Sequence, residues 1–216
     1  MSQMIRKTKT CVICGKEGTY PVLMSTNEFG PCDLDLRPAE MRRSTMPTWI
    51  EECDSCGFVS DNVSKLPAGV DEDTVKAILL SHKYAFTEDR YFKSDLAVKF
   101  YKHYVLNREL KKHRIAYNSL VYAAWASDDA DDKENSVFCR KLAAEYLDII
   151  FKEDGKDDNL LLQKADLLRR SGSFAKVINE YSEMAFENPF FEKIAAFQVE
   201  KSKLGDDNCY TVGDIK

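Results

Sequence analysis

Two stretches decide the fold: Cys11-Val12-Ile13-Cys14-Gly15 and Cys53-Asp54-Ser55-Cys56-Gly57 are one motif written twice. A Cys-x-x-Cys spacing lets two thiolates converge on one ion from a tight turn. The glycine that follows lets the backbone curl so that amides face the sulfurs. Two such turns supply four soft ligands in a tetrahedron, a set that suits zinc and disfavours hard cations. An iron centre on the same ligands is the alternative. A redox Cys-x-x-Cys needs a helix N-terminus in a βαβ context, and neither motif has one. The expectation is a structural Zn²⁺ on Cys11, Cys14, Cys53 and Cys56, with no open coordination position and no catalytic role.

Residues 15 to 52 separate the two cysteine pairs, more than a minimal ribbon needs, so the loop between them is a long insertion with content of its own. Pro31 to Pro38 and Met41 to Trp49 are rich in paired charge. On one reading, Asp33, Asp35, Arg37, Arg42, Arg43 and Trp49 form a ligand or partner surface. The arginines would hold a phosphate or carboxylate, and Trp49 would offer a stacking face. On the preferred reading, the two aspartates pair with those same arginines to order the loop, and Trp49 packs beside the second knuckle. Cys32 is a spare thiol in this segment.

Further out, the composition changes near residue 70. Five of the six prolines (Pro21, Pro31, Pro38, Pro47, Pro67) precede it, and the text reads as short strands and loops. Residues 1–70 are therefore expected as a zinc-ribbon-like lobe, 71–205 as an α-helical domain, and 206–216 as a flexible tail. Asp71-Glu72-Asp73 opens a helix whose face carries Val75, Ile78, Leu79 and His82, and Ser94 caps a second along Leu96, Phe100 and Leu110. Helices are expected over about 115–126 and 134–151, with the acidic run Asp128 to Asp132 between them. Leu160–Arg170 and Phe174–Phe186 form a hairpin hinged on Ser171-Gly172-Ser173. Pro189 opens a last helix that Gly205 stops. The fold class is mostly α with a small N-terminal β/loop lobe.

The 216 residues are 31 % charged and 44 % hydrophobic, a globular composition, and 31 basic against 36 acidic side chains leave a net charge of −5. A tetrathiolate zinc centre moves that value toward roughly −7, which disfavours nucleic acid and anionic membranes as partners. The longest apolar run, Leu120 to Ala126, is far short of the roughly 20 residues of a membrane span. The opening residues contain no apolar signal core, so the expected compartment is the cytoplasm. There thiols stay reduced, and seven cysteines point to metal before disulfides.

Within 99–117, Lys99, Lys102, Arg108, Lys111, Lys112 and Arg114 oppose Glu109 alone, with Phe100, Tyr101, Tyr104 and Tyr117 interleaved. As a basic patch beside the Arg37/Arg42/Arg43 loop, this gives the alternative reading, a nucleic-acid-binding regulator. The preferred reading is a solvated helix face with its aromatics in the core and its charge answered by Asp128 to Glu134. His82, His103 and His113 have no catalytic companions, and Cys139 sits in an apolar helix as an inert thiol. No nucleophile elbow, phosphate-cradling glycine loop or paired acid–base group is present.

Leu160 to Pro189 follows the logic of a helix-turn-helix repeat. Ala165 permits close approach, Leu168 and Phe174 flank the Gly172 turn, and Val177 and Tyr181 continue the second helix, as in a tetratricopeptide-like unit. Helices of that kind present a surface to a protein or peptide partner. The two Cys-x-x-Cys-Gly knuckles, Asp33-Leu34-Asp35-Leu36-Arg37-Pro38, Trp49 and Phe58 together resemble the bacterial DUF2225 family. That resemblance implies an N-terminal zinc-ribbon-like lobe, tetratricopeptide-like helices, metal ligation by Cys11, Cys14, Cys53 and Cys56, and nothing catalytic. Asp54 stands where family members often have proline. The sequence thus reads as a zinc-stabilised protein-interaction module, an adaptor or scaffold.

Overall fold

Each knuckle is the turn of an antiparallel hairpin in the computed structural model, which describes residues 2–85 and 90–216. Strands β1 (Gln3–Thr10) and β2 (Glu17–Ser25) pair from Thr10↔Glu17 back to Gln3↔Ser25, with a register irregularity between Gln3 and Met4. Strands β3 (Glu51–Glu52) and β4 (Val59–Ser60) pair Glu51 with Ser60 and Glu52 with Val59. The two ribbons do not merge into a larger sheet. Seven of the eight residues of β1 are exposed, so the first hairpin buries little. The lobe's apolar centre is instead Ile13, Tyr20, Met46, Ile50, Phe58, Val59 and Val63. The 3-10 turn Arg43–Thr48 supplies Met46.

The helices are α1 (Glu72–Leu79), α2 (His82–Ala85), α3 (Asp95–Glu109), α4 (His113–Asp129), α5 (Lys133–Asp154), α6 (Asp158–Arg170), α7 (Phe174–Tyr181) and α8 (Pro189–Lys203). Their starts follow the caps in the sequence. Asp71 accepts from Thr74 N, Ser94 from Ala97 N, and Asn188 from Phe190 N just ahead of Pro189. Helices α4 and α5 run two to three residues longer at each end or at one end than their apolar pattern alone suggests. Helix α7 stops at Tyr181, whose hydroxyl donates to the Leu161 carbonyl at 2.8 Å, rather than continuing to Phe186. His82 does not share the α1 face, because that helix ends at Leu79 and His82 opens α2.

Consecutive helices from α3 onward pack on one another, and α6 touches both α7 and α8. Phe100, Leu106, Leu120, Leu147, Ile150 and Leu167 are almost fully removed from water, with Ala97, Ala116, Ala123, Ala124 and Ala143 allowing close approach. Among the described residues, no helix is long and apolar enough to cross a membrane.

The expected loose tail is a correction: residues 206–216 are tied down at both faces. Thr211 bridges to Asp33, Leu34 N donates to Tyr210 O, and Val212 N donates to Cys32 O, each hydrogen bond 2.9 Å. On the other side, the fully buried Arg169 donates through Nη1 to the carbonyls of Asp206 and Asn208 at 2.8 Å. Tyr210 stacks edge-on to Phe197 at 5.0 Å. The physical reason is Arg169 itself. A buried guanidinium needs acceptors, and the helix Asp166–Gln198 pair does not supply enough of them.

Candidate metal centre

The sulfurs of Cys11, Cys14, Cys53 and Cys56 all lie within 4.8 Å of one another. Cys11 and Cys56 approach to 3.8 Å across the two knuckles, and Cys14 and Cys53 to 3.5 Å. A disulfide requires about 2.05 Å, so these are not bonded pairs. Four sulfurs about 2.3 Å from one tetrahedral ion stand roughly 3.8 Å apart, close to the spacing found here. The donor set and its geometry therefore fit a metal ion bound by four thiolates.

The two knuckles build this convergence in the same way. Gly15 N donates to Cys11 O at 2.9 Å and Gly57 N to Cys53 O at 2.8 Å. Cys11 N donates to Lys16 O, and Cys53 N to Phe58 O. Gly15 and Gly57 share φ of 70°, the left-handed region that costs a side chain about 1–2 kcal/mol. The deeper ligands are Cys11 and Cys53, both buried, while Cys14 and Cys56 stand at the rim. Burial pushes the Cys11 and Cys56 thiols up. The Lys16 amide beside Cys14 draws its thiol down to about 7. A cation entering such a site displaces the remaining thiol protons, because the ligand is the thiolate.

Surrounding contacts lock the knuckles to each other and to the helices. Val12 N donates to Val63 O at 2.9 Å, and Glu51 accepts from both the Lys9 ammonium and Val63 N. The Tyr84 hydroxyl, from α2, donates to the Gly57 carbonyl at 2.6 Å. Tyr84 carried no signal in the sequence, since the pairing of a helix tyrosine with a loop carbonyl leaves no local pattern.

The inter-knuckle residues are brought together, but with partners other than those expected. Arg43 pairs with Asp33 at 2.6 Å, as the self-paired reading requires. Asp35, however, takes only the backbone amide of Arg37 from the loop arginines, at 3.3 Å, and none of their guanidiniums among the described residues. It is buried, and its Oδ2 accepts from Trp125 Nε1 at 2.7 Å and Arg170 Nη1 at 2.9 Å, with Arg140 Nη2 at 3.6 Å. Arg140 and Arg170 also share Asp128, at 2.6 and 2.8 Å. Burial acts to raise the Asp128 carboxyl, but the two guanidiniums and the Ser136 hydroxyl outweigh it and hold it below the ordinary range. Arg37 crosses to Asp129, and Arg42 meets Glu28 at 3.5 Å. The result is a polar clamp of two arginines and two aspartates that fastens the loop to α4, α5 and α6. Trp49 lies edge-on to Tyr122 of α4 at 5.4 Å.

The basic stretch is corrected in the same sense. Its charge is not answered by the acidic run, because Asp128 and Asp129 are taken by Arg140, Arg170 and Arg37, while Asp132 caps α5. Lys102 instead pairs with Glu52 and Arg114 with Asp154, each at 2.9 Å. Arg108 pairs with its neighbour Glu109 at 2.9 Å, and Lys112 donates to the Ala68 carbonyl at 2.7 Å. For Lys99 and Lys111 no such pairing is seen among the described residues. The aromatics Phe100, Tyr104 and Tyr117 are buried and Tyr101 is half-buried, so they do not form a stacking row on the surface. Cys139 is buried, which pushes its thiol up to about 12. Comparison of the chain with protein-family models, with curated proteins and with solved structures finds no match.

Proposed function

We propose that this chain is a zinc-stabilised protein-interaction module, an adaptor or scaffold in which the metal is structural and the helices carry the partner. The observation that carries the metal half is the four-sulfur cluster within 4.8 Å, which fills a tetrahedron with protein ligands and leaves no position for substrate. Zinc is preferred over harder ions because every donor is a thiolate. The reading also takes up the resemblance to the DUF2225 family and a reducing, cytoplasmic setting, in keeping with seven cysteines that form no disulfide.

The interaction half is supported by the shape and charge of the helical stack. A cleft of 260 Å³ runs between α5, α6 and α7, lined by Lys141, Glu145, Asp148, Lys164, Lys176 and Glu180. Lys164 is held between Asp148 at 2.8 Å and Glu180 at 2.9 Å. Alternating charge of this kind suits a polar peptide more than a phosphate backbone, which needs uncompensated cations. Pairing of Arg37, Arg43, Lys102 and Arg114 with carboxylates weighs against the nucleic-acid alternative in the same way.

Cross-linking in cells followed by peptide mass spectrometry tests this reading. Reproducible cross-links to one protein that map to α5–α7 and disappear with Lys164→Glu are expected. Cross-links to nucleic acid only, or turnover by the purified protein, would overturn it.

A further inference from the structure

A second cleft, 540 Å³ in volume, lies between the inter-knuckle loop and α4, within the size range of small-ligand sites. Three aromatic rings form its wall. Trp49 and Tyr122 stand 5.4 Å apart between ring centres, and Tyr122 and Trp125 5.2 Å. Both indole N–H groups are already spent on the protein, Trp49 Nε1 on Thr45 Oγ1 at 3.0 Å and Trp125 Nε1 on Asp35 Oδ2 at 2.7 Å. The indoles therefore offer π surface and no donor. The Tyr122 hydroxyl has no hydrogen-bond partner among the described residues.

The lining carries one carboxylate, Glu28, and one guanidinium, Arg42. Of the three loop arginines, Arg37 and Arg43 are locked to Asp129 and Asp33, whereas the Arg42 guanidinium is 58 % exposed and, among the described residues, pairs with Glu28 alone, at 3.5 Å. Glu28 also accepts from the Ala39 amide, so part of its charge is answered by backbone. An exposed pair at that distance exchanges readily for a better-placed anion. At the mouth, Leu36 is 49 % exposed and holds φ of 63°, a conformation that branched side chains rarely adopt. The Asp33–Arg37 turn holds it there, with Leu36 N donating to Asp33 O and Asp33 N to Arg37 O. Strained, exposed apolar residues of this kind gather at ligand clamps.

We propose that this cleft binds a small aromatic acid. The ring lies against Trp49 and Tyr122 with Leu36 over its edge, the carboxylate takes the Arg42 guanidinium from Glu28, and the Tyr122 hydroxyl supplies a further hydrogen bond. Binding here involves neither the metal centre nor the α5–α7 cleft, so it stands independently of the interaction-module reading.

The chain has only two tryptophans, and both line this cleft, so intrinsic fluorescence of the full-length, metal-loaded protein reports it directly. The probes are 4-hydroxyphenylacetate and its uncharged amide. A saturable change with the acid, at least about tenfold weaker with the amide and with Arg42→Gln, is expected. Arg42 is exposed, so R42Q keeps the fold, and its far-UV circular dichroism verifies that. No saturable change through the millimolar range overturns the proposal. Equal affinity for acid and amide, or tighter binding of phenyltrimethylammonium than of the acid, overturns it as well.

Discussion

The lobe and the helices of this protein are held together by different forces. In the helical part, Leu120, Leu147 and Leu167 are wholly buried and each turn adds apolar area to one continuous core. The lobe has an exposed β1, two ribbons that never join, and a small apolar centre, with cysteines as two of its buried members. A segment of that size is marginal on its own hydrophobic burial. Two devices make up the difference: four thiols converging at one point, and a buried clamp in which Asp35 reaches Trp125, Arg140 and Arg170 of the helical part. The contrast teaches that the lobe leans on its converging thiols and on its neighbour, whereas the helices depend mainly on themselves.

Cys53→Ser should break the comparison most strongly. Structural zinc is worth about 10–16 kcal/mol in small metal-folded units, so losing one ligand should release the lobe. Amide hydrogen exchange should then show lost protection in β2–β4, with α3–α6 protected as before. Equal protection in both regions would mean that the lobe does not need the metal.

Asp35→Ala attacks the clamp. It leaves Arg140 and Arg170 buried with Asp128 as their shared carboxylate, and breaking a buried pair in this way costs about 3–5 kcal/mol. Denaturant unfolding measures it. A loss below about 1 kcal/mol would show that the clamp is ornamental to stability.

A pH scan sharpens the helical side. His103 Nδ1 lies 2.8 Å from Ser119 Oγ, and burial pulls its imidazole down to about 4. Unfolding returns it to the ordinary value of about 6.5, so between those pH values the unfolded chain holds the extra proton. The His103 contribution to stability should therefore fall by one proton's slope as pH drops from about 6.5 to about 4, then level off. His103→Gln should flatten that window relative to wild type. An unchanged slope would assign it to other groups.

The smallest expected effect is Gly57→Ala. A Cβ there meets no atom within 4 Å, so the cost is the left-handed backbone alone, about 1 kcal/mol. It should appear as weaker metal retention in a chelator competition, with little change in the melting of the helices. Loss of the helices instead would contradict the separation of the two regions.

What was legible in the sequence was local. The paired knuckles, Asp71, Ser94 and Pro189 each state their role within four residues, so the convergence of the four cysteines and the helix starts could be read from spacing and capping chemistry. The self-pairing of the loop was half legible. Asp33 finds Arg43 ten residues away, but Asp35 finds Arg140 and Arg170 more than a hundred residues on. Nothing in a charge pattern distinguishes those partners from Arg37 or Arg42. The docked C-terminus was hidden for the same reason, since its anchor is Arg169, a residue indistinguishable in sequence from a surface arginine at the end of α6. Burial of an arginine is decided by tertiary packing and leaves no periodic trace.

The central claim is that one metal ion closes the lobe. Elemental analysis coupled to native mass spectrometry of the purified chain tests it most directly. The account predicts one zinc per chain, released together with the lobe's amide protection by a strong chelator and absent from Cys53→Ser. A metal-free chain whose lobe is fully protected would contradict it.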